Sequence, residues 1–226
     1  MRTIPLAIGR RRFLAGLSAS ALLALPGCAS TGALSFTEAI RRLLALSTQN
    51  AFAGLTAEGG FYDNALVRLD LPDVLGSRGN TVQNILTSAV FKNRLQKEFN
   101  HMAEDGARRA APVVADTVRT IGIENAVALV KGGPTAATDF LRGAMAGSLV
   151  EVMVPALGDA IRLSNDPLVG QVISALTGID ASGVARDLAG DVDNAIWKAV
   201  AQEESAIRAD PSRTKDPLLM GVFGVL

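Results

Sequence analysis

The stretch VARDLAGDVDNAIWKAVAQEESAIRADP, Val184 to Pro211, decides the fold class of this chain. Apolar residues recur in it at the spacing of one face of an α-helix: Val184, Leu188, Val192, Ile196, Val200 and Ile207. Pro211 ends the pattern, because proline cannot continue a helix. The stretch predicts a long amphipathic helix over about Ser182 to Ala209, whose apolar face must pack against other elements.

The same spacing recurs on both sides of this stretch, so the other elements are also predicted to be helices. Ser35-x-x-Glu38 matches a capping box, in which serine and glutamate satisfy free backbone N–H groups at a helix start. Pro112 and Pro155 are expected to kink or bend the helices that contain them. The predicted helices are Ser35 to about Gly59, Thr81 to Ile121, Ile123 to Lys131, Pro134 to Leu163, Pro167 to Leu176 and Leu218 to Phe223.

One segment has a different pattern. Between Asn64 and Pro72, apolar Val67, Leu69 and Leu71 alternate with charged residues, which indicates an extended backbone. A single strand has no partner, so we expect an arm packed on helices; a minor edge ribbon is the alternative. The fold class predicted is all-α, an irregular multi-helix bundle with one short extended segment near 64–72, in a single domain over 35–226.

The first 27 residues have the features of an export signal. Four arginines precede an apolar run of 13 residues, Phe13 to Leu25, which is shorter than the roughly 20 residues a spanning helix needs. Arg10, Arg11, Phe13 and Leu14 resemble the twin-arginine pattern, which is an address read by a receptor. We therefore expect a signal peptide over residues 1–27 that is cleaved after export.

Cys28 is the predicted lipid attachment site. Leu25-Pro26-Gly27-Cys28 resembles a bacterial lipobox, and Cys28 is the only cysteine, so it has no partner for an intramolecular disulfide. The resemblance implies an acylated amino terminus, a tether over 28–34 and, with no Asp after Cys28, the periplasmic side of the outer membrane. A plain cleaved signal, which gives a soluble periplasmic protein, is the alternative.

Composition excludes several classes of function. Removal of residues 1–27 leaves 18 basic against 22 acidic residues, a net charge of −4, which disfavours nucleic acid as a partner. Eight Phe, one Trp and one Tyr offer few aromatic platforms for sugars or single strands. One His and one Cys cannot supply the four N or S ligands of a structural zinc site. No cofactor or metal is predicted.

Four blocks of the chain carry a family likeness: Asn64–Pro72, Glu98–Pro112, Ala128–Arg142 and Ala195–Gly224. They resemble the exported bacterial family known as domain of unknown function 4197. The likeness covers nearly all of Phe36–Gly224, and the last block is the most specific. Departures from the family pattern include His101-Met102, Phe140 in place of tyrosine, and Ile196-Trp197. The resemblance implies the domain boundaries and an all-helical fold, and it supplies no catalytic residues.

The carboxylates near the end of the long helix are the first weak candidates for a site. Glu203, Glu204 and Arg208 lie within about one turn, and two carboxylates beside an arginine could serve acid–base chemistry or clamp a ligand. The structural alternative is a local salt-bridge network, since Glu204 and Arg208 have the favourable i, i+4 order.

A second weak candidate follows Gly132-Gly133. Backbone N–H groups at a helix start can bind an anion, but no lysine stands at phosphate-loop spacing and Pro134 removes one donor. The alternative is a capping Thr135 with Asp139 and Arg142 as a surface pair. The candidate side chains are Thr135, Thr138, Asp139 and Arg142.

Other residues are more simply structural. His101, the only histidine, has no nucleophile-elbow motif to serve, so we expect a surface or packing position. Asp187, Asp191 and Asp193 lack the glycine and terminal glutamate of a calcium loop, so an exposed helix face is expected. Trp197 is expected in the core.

Three functional hypotheses remain. The first is a non-enzymatic helical interaction or structural module, anchored by lipid, with an unknown envelope protein as its partner. The second is a carrier that holds an apolar ligand or lipid in a cavity between helices. The third is a hydrolase that uses Glu203 and Glu204. A buried carboxylate in a cleft would favour the third, and a large apolar cavity would favour the second.

Overall fold

The computed structural model describes residues 28–71, 88–164, 166–175 and 181–224. The export-signal residues Arg10, Arg11, Phe13 and Leu14 lie outside these ranges. Eight α-helices and one 3-10 turn are present in them: α1 Cys28–Leu55, α2 Ala89–Thr120, α3 Ala126–Lys131, α4 Ala136–Met145, α5 Ser148–Leu163, α6 Pro167–Ala175, α7 Ala181–Ala209, the turn Pro211–Thr214 and α8 Pro217–Phe223. The described ranges contain no strand, so the predicted all-α class is confirmed.

Helix α7 lies at the centre of the bundle and packs against α1, α2, α4 and α5. Its apolar face is buried as the spacing predicts, and Trp197 belongs to the core with 3% of its surface exposed. The observed start, Ala181, is one residue before the predicted one, and the end at Ala209 agrees. Periodicity therefore gave this helix correctly, because burial of one continuous face is what the pattern encodes.

Helix α1 begins earlier than the sequence predicts. It starts at Cys28, so Ser35 lies inside the helix rather than capping it, and residues 28–34, the predicted tether, are part of the helix. Among the residues of α1 whose burial is described, 36–55, the first buried one is Ala39. The predicted start of α2 at Thr81 lies outside the described residues; the described helix runs from Ala89 and continues through Pro112.

The predicted long helix over Pro134 to Leu163 is wrong in its continuity. Gly147, with φ of +77°, separates α4 from α5, and their axes differ by 69°. The expected bend at Pro155 is not the break: Pro155 lies within α5 on its exposed side, where water can bond the Glu151 carbonyl that loses its helical donor. Glycine takes a positive φ without the steric cost that other residues have.

Residues 65–67 form a turn, in which the Val67 and Arg68 N–H groups donate to the Asn64 carbonyl at 3.1 and 2.8 Å, so the extended segment predicted near 64–72 is wrong over this part. We call residues 68–71 the arm. Leu69 is buried and its backbone N–H donates to Asn100 Oδ1 at 2.8 Å, while Asn100 Nδ2 donates to the Leu69 carbonyl at 2.9 Å. The fully buried Asn100 of α2 thus takes the place of a neighbouring strand. The arm packs on helices. The described ranges contain no strand with which it could form the edge ribbon that was the alternative.

Helices α1 and α2 run antiparallel. At the middle of α1, the Arg41 guanidinium donates to the Val118 carbonyl at 2.5 Å and to the Ile121 carbonyl at 3.1 Å, at the end of α2. Near the end of α1, the Thr56 carbonyl accepts from Arg108 at 3.0 Å. Arg41 therefore supplies donors to carbonyls that a helix end leaves unpaired.

Helices α2 and α5 approach closely at Gly106. A Cβ atom on this buried glycine would lie 3.3 Å from Leu157 Cδ2.

No helix of the described ranges has by itself the length and hydropathy to cross a bilayer; α4 and α5 reach that criterion only as a bent pair.

Candidate functional site

Glu204 is a fully buried carboxylate at the centre of a closed hydrogen-bond network. Its Oε1 accepts from the Ala137 N–H at 3.0 Å and from Arg208 Nε at 2.7 Å. Its Oε2 accepts from the Thr138 N–H at 2.6 Å. Both oxygens are therefore engaged by the first turn of α4 and by Arg208. The salt bridge that the sequence spacing suggests between Glu204 and Arg208 is present at 2.7 Å, and it is buried, with exposed side-chain fractions of 0% and 10%.

Arg208 completes the network at the end of a second helix. It donates to the Val130 carbonyl at 3.1 Å and to the Leu129 carbonyl at 2.9 Å, near the end of α3. Its guanidinium carbon lies 4.8 Å from the centre of the Phe223 ring, which is a cation–π contact. We call Glu204 and Arg208 the helix-end clamp, since they bond the last carbonyls of α3 and the first N–H groups of α4.

The clamp has favourable electrostatics. A helix start carries partial positive charge and free N–H groups, and a helix end carries partial negative charge and free carbonyls. The carboxylate of Glu204 lies at the first kind of end and the guanidinium of Arg208 at the second. The two groups therefore stabilise the α3–α4 corner, and Gly132 and Gly133 form the short connection between its helices.

Glu203 does not join Glu204 in a carboxylate pair. It accepts a hydrogen bond from Asn50 Nδ2 of α1 at 3.2 Å, whereas Glu204 faces α4. Consecutive residues of a helix point about 100° apart, which accounts for the separation. The two carboxylates on which the hydrolase hypothesis depends are thus directed at different helices.

The predicted anion site at the start of α4 is occupied by the protein itself. The backbone N–H groups of Ala137 and Thr138 bond Glu204, as described above. The Thr138 side chain is buried, and its hydroxyl oxygen has no hydrogen-bond partner within the described part of the chain. The helix start therefore has no free pair of N–H groups at these two positions.

Asp139 and Arg142 do not form the expected surface pair. Asp139 Oδ2 accepts from the Thr135 hydroxyl at 3.0 Å. Arg142 instead reaches α7, where it donates to Asn194 Oδ1 at 2.6 Å and to Asp193 Oδ2 at 3.3 Å. Arg142 thus joins α4 to α7. Of the sequence-predicted candidates, the structure brings Thr138, Glu204 and Arg208 together. The others have separate contacts: Glu203, Asp139 and Arg142.

His101 is a surface residue beside a buried acid. Its side chain is 62% exposed, and Nδ1 lies 3.1 Å from Oε2 of Glu104, which is buried and also accepts from the Gly59 N–H at 3.0 Å. Asn100 and Glu104 are the buried polar residues of α2 that sequence reasoning missed. Helical spacing places both beside the apolar face, but nothing in the sequence distinguishes them from exposed residues.

The aspartates of α7 have structural contacts as well. Asp193 Oδ1 accepts from Trp197 Nε1 at 2.9 Å, which orients the indole in the core. Within the described residues, no three His, Cys, Asp or Glu side chains are grouped so that they could hold a metal ion.

An apolar groove of about 480 Å³ lies between α1 and α2. Phe52 forms its base with 7% of its surface exposed, and small side chains on the two facing helices leave the space open. We call it the α1–α2 groove; its apolar lining includes Ala45, Phe52, Ala53, Ala111, Ala115 and Val118.

Comparison with known proteins agrees with the resemblance seen in the sequence. Neither a curated protein nor a solved structure matches the chain. One family model matches residues 30–224, which span the whole described bundle except its first two residues. The chain belongs to the family of proteins of unknown function DUF4197.

Proposed function

We propose that this protein is a non-catalytic helical interaction or structural module, anchored by a lipid on Cys28 at the periplasmic side of the outer membrane. The observation that carries the proposal is the helix-end clamp. Glu204 and Arg208 are the strongest acid–base candidates in the sequence, and their polar atoms bond the ends of α3 and α4. A carboxylate held in this way serves the fold.

The remaining candidates support the same proposal. A general acid or base must lie within hydrogen-bond reach of the group it serves, with an orienting partner in a shared cleft. Glu203 bonds α1, Asp139 bonds Thr135, and Arg142 bonds α7, so these side chains do not converge on one cleft. The envelope location rests on the sequence features of residues 1–28, and the partner is expected to be an envelope protein.

The anchor is tested by the substitution C28S. We expect wild-type protein to incorporate labelled palmitate and to sediment with outer membranes, and C28S to do neither while it stays folded. Membrane retention of C28S would contradict the lipid anchor, because several acyl chains on that residue are what hold the protein stably.

The absence of catalysis is tested separately by rescue of a deletion strain, with envelope permeability to a hydrophobic dye as the readout. We expect E203Q and D139N to restore the barrier as well as wild type does. Arg142→Gln is the matched control for lost packing, since it removes a contact between helices. Failure of E203Q or D139N to rescue, at normal protein level and unfolding midpoint, would refute a non-catalytic role.

The α1–α2 groove favours a second candidate function, that of a carrier for an apolar ligand. Its volume of about 480 Å³ falls in the range of ligand pockets, roughly 300–1,000 Å³. The groove is open along one side, so a ligand there would keep one face in contact with water. The lining and the charges of the groove determine the class of ligand that fits it.

A further inference from the structure

We propose that the α1–α2 groove binds a single-chain carboxylate amphiphile, with the alkyl chain along the groove and the carboxylate at Arg119. This inference goes beyond a structural role and does not depend on the lipid anchor. It rests on three properties of the groove: an apolar lining, a narrow and elongated shape, and an arginine at one end.

The lining is more apolar than its residue types suggest. Thr48 and Thr56 border the groove, but the hydroxyl of Thr48 donates to the Leu44 carbonyl at 2.7 Å and that of Thr56 to the Phe52 carbonyl at 2.7 Å. These hydroxyls are satisfied by their own helix. A hydrocarbon chain in the groove would therefore leave neither of them without a partner, which removes the main cost of apolar binding.

The shape fits one alkyl chain. The groove follows α1 from Ala45 to Thr56, which is about 16 Å at 1.5 Å per residue. Its width is the gap between two adjacent packed helices, with alanines at positions 53 and 115 on opposite walls. Each methylene that leaves water adds to the favourable free energy of binding, so a chain of about ten carbons has enough apolar surface to bind.

Charge determines the direction of the ligand. Arg119 borders the groove at the end near Ala45, because α1 and α2 are antiparallel. Its side chain is 73% exposed, and its ion pair is with Asp116 on the same exposed helix face, a contact of small free energy. A guanidinium binds a carboxylate with two parallel hydrogen bonds.

The cation at the opposite end of the groove, Arg108, is more fully engaged than Arg119. Arg108, near Thr56, already donates to the Thr56 carbonyl at 3.0 Å and pairs with Asp105. The carboxylate of the ligand therefore belongs at Arg119 and the methyl end near Thr56.

The test is titration calorimetry of full-length C28S protein with dodecanoate below its micelle concentration. We expect one dodecanoate per chain. A115F and A53F place a phenyl ring in the groove and should abolish binding; A144F, at an exposed alanine of α4, is the matched control and should bind as wild type does. R119Q should weaken dodecanoate about tenfold and leave neutral dodecanol unchanged.

Two outcomes would overturn the proposal. The first is unchanged dodecanoate binding by A115F and A53F, which would place the ligand elsewhere. The second is a dimeric wild type in sedimentation that A115F converts to a monomer, which would make the groove an interface between two copies. Palmitate labelling at Cys28 and rescue by E203Q are independent of this titration, so failure here is distinguishable from failure of the proposed function.

Discussion

Replacement of Glu204 by glutamine tests whether the helix-end clamp stabilises the fold. Glutamine has the same shape, but one terminal atom becomes an NH2 donor. With its oxygen at the Oε1 position, the bonds from Ala137 and Arg208 are kept, and the Thr138 N–H, formerly 2.6 Å from Oε2, faces a second donor. We expect E204Q to lower the free energy of unfolding by about 2–4 kcal/mol, since it adds an unsatisfied buried donor and removes a buried ion pair.

The chain offers a matched control for this substitution. Glu151 and Arg186 have the same N–O distance, 2.7 Å, but their side chains are 66% and 58% exposed. We expect E151Q to change the free energy of unfolding by about 0–1 kcal/mol, as exposed pairs do. The two variants differ in burial and in the helix ends that Glu204 bonds, so their comparison isolates the contribution of the clamp.

Urea unfolding followed by fluorescence of Trp197 is the assay. This tryptophan is the only one in the chain and is buried in α7, so its emission reports the bundle core. The midpoint of E204Q should fall with an unchanged slope, which indicates a loss of stability without a change in compactness. A loss below about 1 kcal/mol, equal to that of E151Q, would refute the argument that this pair is desolvated and structural.

Three further predictions follow from other contacts. Asn100→Ala should cost about 1–3 kcal/mol and speed exchange of the Leu69 amide, because the buried Leu69 N–H loses its partner while the Leu69 carbonyl keeps the bond from Gln96 Nε2; unchanged exchange would contradict this. Gly106→Val should cost about 1–3 kcal/mol by thermal unfolding, since Leu157 lies within 3.3 Å of the added Cβ, and Gly106→Ala should cost less. Partial burial raises the pKa of Asp216, but hydrogen bonds from a guanidinium and two backbone N–H groups outweigh it, so the pKa lies below its usual value. Its contribution is present above about pH 4 and is lost as pH falls through the lowered pKa, so the stability difference between wild type and D216N should shrink from pH 6 to pH 3; a constant difference would contradict it.

Helical periodicity predicted the class of the fold and the bounds of α7 because both depend on one continuous apolar face. It failed at the corner between α4 and α5. The sequence predicts a bend at Pro155, because proline removes a helical hydrogen bond. Pro155 lies on the exposed side of α5, however, where water replaces that hydrogen bond. The break between α4 and α5 lies at Gly147, which has a positive φ. The sequence alone does not show which glycines adopt such a φ.

The site was predicted only in part. The i, i+4 relation of Glu204 and Arg208 follows from spacing alone, and the structure contains that contact. Their burial does not follow from it, because it arises when the α3–α4 corner, more than 60 residues away in the chain, packs on the end of α7. Likewise, the partner of Arg142 lies on α7 rather than one turn away at Asp139.

The start of α1 at Cys28 has a mechanical consequence for a membrane-bound protein. From Cys28 to Phe36, which packs against the core, α1 rises by about 12 Å over eight residues. A lipid on Cys28 would then be joined to the bundle by a stiff helical segment instead of a flexible linker. The length of that helical segment would restrict the distance between the bundle and the bilayer, and its stiffness would restrict the tilt of the bundle. A partner would therefore meet neighbouring molecules at about the same height above the membrane.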